Sequence, residues 1–422
     1  MGMIKKPTTG MKDILPKEMA IRDYVTSLVK ETYGSFGFTS IETPAVEHIE
    51  NLCSKQGGEN EKLIFKILKR GEKLDLENAE NENDLADSGL RYDLTVPLSR
   101  FYANHASELP SPFKALQMGP VWRADRPQKG RFRQFVQCDI DILGDSSYLA
   151  EIELITATTT LLSRLDFKGF TVRINDRRFL KAMAAYSGFS EDDYDTVFII
   201  LDKMDKIGLE GVREELVKAG FLEDCADKYL KLFEKIKGDV SDIDNLKTIL
   251  ADNLEEGCAE GLISIIESAK AARACDFNIV FDPTLVRGMS YYTGTIFEIS
   301  MDEFGSSVAG GGRYDEMIGK FTGNKVCACG FSIGFERIIT ILLDKDYKVP
   351  RSTDKYAFLI EKGADAARIG QVLNEATQLR AEGKSVLVSF MNKNKKFQKE
   401  QLNKEGYAPD KIKEFYCTEF KN

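Results

Sequence analysis

Histidine is almost missing from this chain: His48 and His105 are its only two among 422 residues. A zinc site built on imidazoles, or a cysteine nucleophile activated by a histidine, is therefore poorly supported. The eight cysteines are scattered, and only Cys327 and Cys329 stand close together. They read as small apolar residues of a reducing compartment rather than as a disulfide framework. Long apolar runs are missing too; none approaches the roughly 18–20 residues of a membrane span. The start, MGMIKKP, carries no apolar signal-peptide stretch, and Lys6 stands where a myristoylation signal needs Ser or Thr. The expected location is the cytoplasm, without a membrane partner. Basic charge is in deficit: 58 Lys and Arg face 67 Asp and Glu, for a net charge of -9. That excludes a bulk electrostatic grip on nucleic acid but not a local basic surface.

The length is too great for one ordinary core and predicts two or three domains. Apolar residues at helical spacing predict a first helix over residues 16–33, followed by a short strand at 38–41 that Pro44 stops. Residues 71–88, acidic and rich in Asn, read as an exposed loop, with strand-like sequence resuming at Leu90. From Asp176 to Cys275 the pattern is helix after helix, although residues 197–201 (VFIIL) fit a short strand equally well. A second strand-rich block spans residues 277–334 and leads into a helix at 335–343. After Pro350 strands at 356–360, 386–390 and 412–416 alternate with helices at 365–380 and 395–404, as in a small α/β unit with parallel strands.

Four segments carry candidate chemistry. In residues 121–141, VWRADRPQKGRFRQFVQCDID, a Pro and a Gly bracket a loop between extended stretches, which predicts a hairpin. The two-residue period of its second strand puts Arg131, Arg133, Phe135, Gln137, Asp139 and Asp141 on one face and Cys138, Ile140 and Ile142 on the other. The polar face is cationic near the loop, aromatic in the middle and acidic at the far end. Such a groove suits a ligand with phosphates at one end and an amine at the other. The second segment, LVRGMSYYTGTIFE at 285–298, sets an arginine against a glycine and paired tyrosines. The third, VAGGGRYD at 308–315, by itself reads as a tight turn; it fits neither the dinucleotide nor the P-loop pattern. The fourth, GFSIGFER at 330–337, leads a strand into a helix and ends on an arginine suited to a phosphate.

Together these segments resemble the class II aminoacyl-tRNA synthetases, and within them the histidyl-tRNA synthetase family. Residues 123–137 resemble motif 2 of that class, 330–337 motif 3, and 37–44 the motif 1 dimer strand, while LVRGMSYYTGTIFE and AGGGRYD resemble the two histidine-specific signatures. The resemblance covers most of residues 9–340. It implies an α+β fold: an antiparallel sheet flanked by helices over 1–177 and 256–345, a helical insertion at 178–255, and a shortened α/β anticodon-binding-like domain at 350–422. It also implies ATP-dependent activation of L-histidine and transfer to tRNA(His), with Mg²⁺, by a homodimer. Arg123 would hold the carboxylate and α-phosphate, Arg131 the triphosphate, Phe135 one face of adenine and Arg337 the other. Asp93, Thr95 and Gln137 would bind the α-amino group, with Asp141 and Tyr292 on the imidazole and Tyr291 and Tyr314 completing the histidine site. Arg287 would sit over the α-phosphate during attack.

Three departures stand out. Ser290 occupies a place commonly held by Asp, Asp93 and Asp141 are shorter than the Glu of many members, and the last unit stops after its third strand. Lys393, Lys395, Lys396, Lys399 and Lys404 are the candidates for a phosphate-facing surface there. The competing reading is a non-catalytic relative that senses histidine for ATP phosphoribosyltransferase. Such relatives lose ATP-contacting residues, whereas Arg123, Phe135 and Arg337 are all present.

Overall fold

The two-residue alternation of residues 134–143 builds an inner strand of the main sheet. The structure, a computed structural model, describes residues 3–53, 61–126, 132–234, 236–286, 291–301, 306–350 and 354–417. The chain forms two compact units, Met1–Tyr347 and Lys348–Asn422. In the first, helix α1 (Pro16–Ser35) leads into strand β1 (Thr39–Ile41). Strands β2 (Val46–His48), β3 (Phe65–Leu68) and β4 (Ala86–Leu90), with the short helix α2 (Ile49–Leu52), form a small antiparallel sheet. Helix α3 (Thr95–His105) then precedes the hairpin of β5 (Phe113–Trp122) and β6 (Gln134–Leu143), and α4 (Leu149–Arg164) leads to β7 (Phe170–Asp176).

Among the described residues, six α-helices separate β7 from its parallel neighbour β8 (Asn278–Phe281): α5 (Arg177–Ser187), α6 (Tyr194–Leu201), α7 (Met204–Lys218), α8 (Glu223–Leu230), α9 (Val240–Leu250) and α10 (Cys258–Ala271). The ambiguous VFIIL stretch is thus helical, with Val197, Phe198, Ile200 and Leu201 buried. Strands β9 (Thr295–Met301) and β10 (Ser306–Arg313), helix α11 (Gly319–Thr322), strand β11 (Ala328–Ile333) and helix α12 (Phe335–Asp344) complete the unit. The main sheet has eight strands in the order β1-β5-β6-β11-β10-β9-β7-β8. All neighbours are antiparallel except the outermost pairs, β1–β5 and β7–β8. This is the α+β architecture that the family resemblance implies.

Two local expectations are corrected. The strand ends at Leu90 rather than resuming there: α3 begins at Thr95, with Pro97 in its first turn, where a missing N–H disrupts nothing. The glycine triplet is not a turn but part of β10, because neighbouring strands occupy the space its side chains would need. A Cβ on Gly311 would meet the Gly330 carbonyl oxygen at 1.9 Å, and one on Gly312 the Thr295 oxygen at 2.5 Å.

In the second unit, three parallel strands lie in the order β13-β12-β14, namely Ser385–Phe390, Lys355–Ile360 and Ile412–Phe415. Helix α13 (Ala366–Ala381) is capped by the Asp365 carboxylate, which accepts from the Arg368 N–H at 2.8 Å. Helix α14 (Lys395–Lys404) is capped in the same way by Asn394. Along β12, Phe358 and Ile360 pack with Val372 of α13, while the alternate Ala357 and Leu359 pack with Leu402 of α14. Glu414 engages Lys399 at 2.5 Å and Lys395 at 3.5 Å, so two of the five candidate phosphate-facing lysines carry a carboxylate partner. No helix among the described residues is long and apolar enough to cross a membrane.

Candidate active site

The polar face of β6 opens on a groove of about 630 Å³, which Phe135 and Gln137 help to line. Arg123 follows β5 directly. Its Nε donates to the Tyr92 carbonyl at 2.9 Å, and its guanidinium lies 5.2 Å from the centre of the Phe135 ring. The charge is therefore fixed on the groove wall rather than carried on a loose side chain. Arg337, in the first turn of α12, lines the same groove and donates to the Ser307 carbonyl. Tyr291 and Tyr292 line it too, with ring centres 4.7 Å apart. Tyr291 meets Tyr314 edge-on at 5.9 Å. Arg133, in contrast, is turned to the loop, where its Nε donates to the Asp125 carbonyl at 3.0 Å. Arg131, Arg287 and Ser290 lie outside the described residues.

Three carboxylates cluster behind the groove. Asp93 is 1% exposed, and Asp139 and Asp141 are each 4% exposed. Burial pushes Asp93 up to about 6, against the pull of the Val96 N–H and the nearby Arg123. Burial likewise lifts Asp141 to about 7, opposed by the Tyr314 hydroxyl, which donates to it at 2.5 Å, and reinforced by Asp93. Asp139 is driven well above the usual carboxylate range by burial and then by the charge of Asp141. Such a cluster is short of positive charge and favours a cationic ligand. Two acceptors there have no hydrogen-bond partner among the described residues: Asp93 Oδ2 and Gln137 Oε1. Thr95 is only partly buried, at the start of α3, two residues beyond Asp93.

Some of the site was not visible in the sequence. Strand β11 pairs with β6 only from Cys138 to Leu143. Beyond its end the Glu336 carboxylate takes over, accepting from the Val136 N–H at 3.2 Å and from Arg22 of α1, whose Nε also bonds Glu18 at 3.0 Å. Gly330 faces Asp141 across the β6–β11 ladder, where a Cβ would lie 2.0 Å from Asp141 Oδ1. A glycine there makes room for the carboxylate. Arg313 of the glycine-rich signature is structural: it grips Glu151 through two bonds of 2.7 Å, both buried.

A sequence-family profile described as "Histidyl-tRNA synthetase" matches residues 10–338. The histidine–tRNA ligase of Leifsonia xyli subsp. xyli is 44% identical over 92% of this chain and 91% of its own length. The probable histidine–tRNA ligase of Tropheryma whipplei is 39% identical over 95% of this chain and 94% of its own. Among solved structures, the histidyl-tRNA synthetase of Nostoc sp. PCC 7120 superposes with a TM-score of 0.78 at 28% identity, over 96% of this chain and 90% of that one. An ATP phosphoribosyltransferase regulatory subunit/histidyl-tRNA synthetase from Bacillus halodurans superposes at 0.79 with 21% identity, over 99% of both chains, and so shares the fold.

Proposed function

The chain belongs to the histidyl-tRNA synthetase family, and we propose that its groove performs that family's two-step reaction on ATP, L-histidine and tRNA(His). The observation that carries the assignment of the site is the pair of unpartnered acceptors, Asp93 Oδ2 and Gln137 Oε1, beside the fixed guanidinium of Arg123. An α-ammonium group satisfies both oxygens, and the adjoining carboxylate meets the arginine. The buried Asp141, held by Tyr314, accepts from the imidazole together with Tyr292; apolar amino acids leave that carboxylate unpaired and are rejected.

Activation needs no catalytic Ser, Cys or general base. A carboxylate oxygen of histidine attacks the α-phosphorus, an O–P bond forms, and pyrophosphate leaves. The protein aligns two anions and neutralises charge: Arg123 spans carboxylate and α-phosphate, Phe135 and Arg337 hold adenine, and Arg131 and Arg287 attend the phosphates. Among the described residues, no group of three or more His, Cys, Asp or Glu is placed to hold a metal ion. Mg²⁺ bound to the triphosphate oxygens would supply further charge neutralisation. A terminal ribose hydroxyl of the tRNA then attacks the acyl carbon and AMP leaves. The exposed edge of β1 serves as the seam of a homodimer, and the second unit meets the anticodon stem through Lys393, Lys396 and Lys404. The expected location is the cytoplasm.

Histidine-dependent exchange of labelled pyrophosphate into ATP tests this reading. Exchange with histidine and not with other amino acids is expected. A folded chain that binds histidine without exchange is a sensor, and the ligase reading is then wrong.

A further inference from the structure

Among the described residues that line the groove, Gln137 is the one side-chain amide. A side-chain amide turned by 180° shows a ligand either an oxygen or an NH2 group, with opposite preference for a cation. We propose that Asp139 is a positioning residue: its carboxylate fixes the Gln137 amide so that the oxygen faces the substrate's ammonium group. This rests on the reading that Gln137 meets that ammonium.

Asp139 lies two residues along β6 from Gln137, on the same face of the strand. Its two oxygens accept from Gln137 Nε2 at 3.1 and 3.4 Å. The neighbours across the ladders are Gln117 on β5 and Ser332 on β11. Gln117 is committed elsewhere, since its Nε2 donates to the Leu94 carbonyl at 3.2 Å. Ser332 hydrogen-bonds the Asp139 carboxylate from the other side. The Asp139 oxygens stand as acceptors toward Gln137, and the amide turns its NH2 inward to meet them. Its oxygen is then left buried and without a partner among the described residues, as found. At 4% exposure Asp139 acts through Gln137, which lines the groove.

The test is a set of variants assayed by pyrophosphate exchange, with histidine affinity read separately by isothermal titration. Asp139→Leu removes the acceptor, and KM for histidine is expected to rise on the order of tenfold or more, with KM for ATP unchanged. Asp139→Asn keeps one acceptor oxygen and is expected to stay within about threefold of wild type. Asp139→Leu combined with Gln137→Ala is expected to be no worse than Gln137→Ala alone, because the first residue works only through the second.

Gln137→Glu sets two carboxylates together and is expected to weaken histidine binding. Adding Asp139→Asn restores an inward bond, with its direction reversed, and an outward oxygen; recovery of most of the affinity is expected. This pair keeps the test decisive if the leucine variant does not fold. The proposal is overturned if Asp139→Asn is as impaired as Asp139→Leu, if the double variant is additive, or if Asp139→Asn fails to rescue Gln137→Glu. A wild-type chain that neither binds histidine nor exchanges overturns the reading of the site itself, and the assignment of Asp139 with it. Binding by wild type with failure of the variant series overturns only the latter.

Discussion

Replacing Gly330 with alanine adds one methyl group directly against the Asp141 carboxylate. The new Cβ would lie 2.0 Å from Asp141 Oδ1, 3.0 Å from its Cγ and 3.2 Å from a Tyr314 ring carbon. Ordinary contact lies near 3.5 Å, so the carboxylate must withdraw by roughly 1.5 Å. The Tyr314–Asp141 bond, now 2.5 Å, does not survive that movement. Overpacking and the lost bond to a charged group together cost about 2–4 kcal/mol of stability. Displacing the carboxylate that receives the imidazole is expected to weaken histidine binding by about 10–100-fold, with ATP affinity unchanged. Urea unfolding and calorimetric titration of each ligand measure the two effects. Gly261→Ala is the control: it lies inside α10 with nothing within 4 Å of the added Cβ. That variant is expected to gain about 0.4–1 kcal/mol. Unaltered melting and histidine affinity within twofold of wild type for Gly330→Ala would refute the packing argument.

The bridge between α1 and α12 is open to the same kind of test. Arg22→Ala leaves Glu336, whose side chain is 12% exposed, without its buried partner; a loss of about 3 kcal/mol is expected, and less than 1 kcal/mol would contradict a structural role. A pH effect follows from Asp93 and Asp141, which burial raises from 3.8 to about 6 and about 7. Between pH 4 and 7 the folded chain retains protons that the unfolded chain has lost, so stability falls as pH rises through that window. Asp141→Asn removes its share, up to about 4 kcal/mol, and urea unfolding at pH 5 and pH 8 should show a flatter profile; an unchanged slope would refute the assignment. Arg287→Ala is expected to slow activation by at least about 100-fold while histidine affinity changes only severalfold. Parallel loss of both would place that arginine in histidine binding instead.

The hairpin face was readable because a strand's period of two sorts Phe135, Gln137, Asp139 and Asp141 without reference to any other part of the chain. The helices of the second unit were readable from the local alternation of strand and helix segments after Pro350; that Asp365 and Asn394 cap them is added by the structure. What escaped depends on distant neighbours. Arg22 and Glu336 are 314 residues apart, and neither carries a local sign of the other. The glycines of β10 look like a turn until the carbonyls of Thr295 and Gly330 are placed beside them. Helix α3 leaves no periodic signature in the sequence, because its buried residues Val96, Pro97, Leu98 and Ser99 are contiguous rather than an evident stripe. The sequence puts Asp139 on the same face as Gln137 but carries no sign of its role, since the orientation of the Gln137 amide is a tertiary fact.

Strand β6 is also a constraint on how this sequence can change in length. Its alternate residues face opposite sides of the sheet, with Cys138 and Ile140 of one set at 0% exposure and Phe135 and Gln137 of the other lining the groove. Loss or gain of a single residue within it would exchange the two sets, burying ligand contacts in hydrocarbon and leading apolar side chains into the groove. The flanks are held as well, by β5 along the whole strand and by β11 from Cys138 to Leu143. Length variation among related sequences should therefore collect in the connection between Trp122 and Gln134, and the strand itself should be inherited as a block.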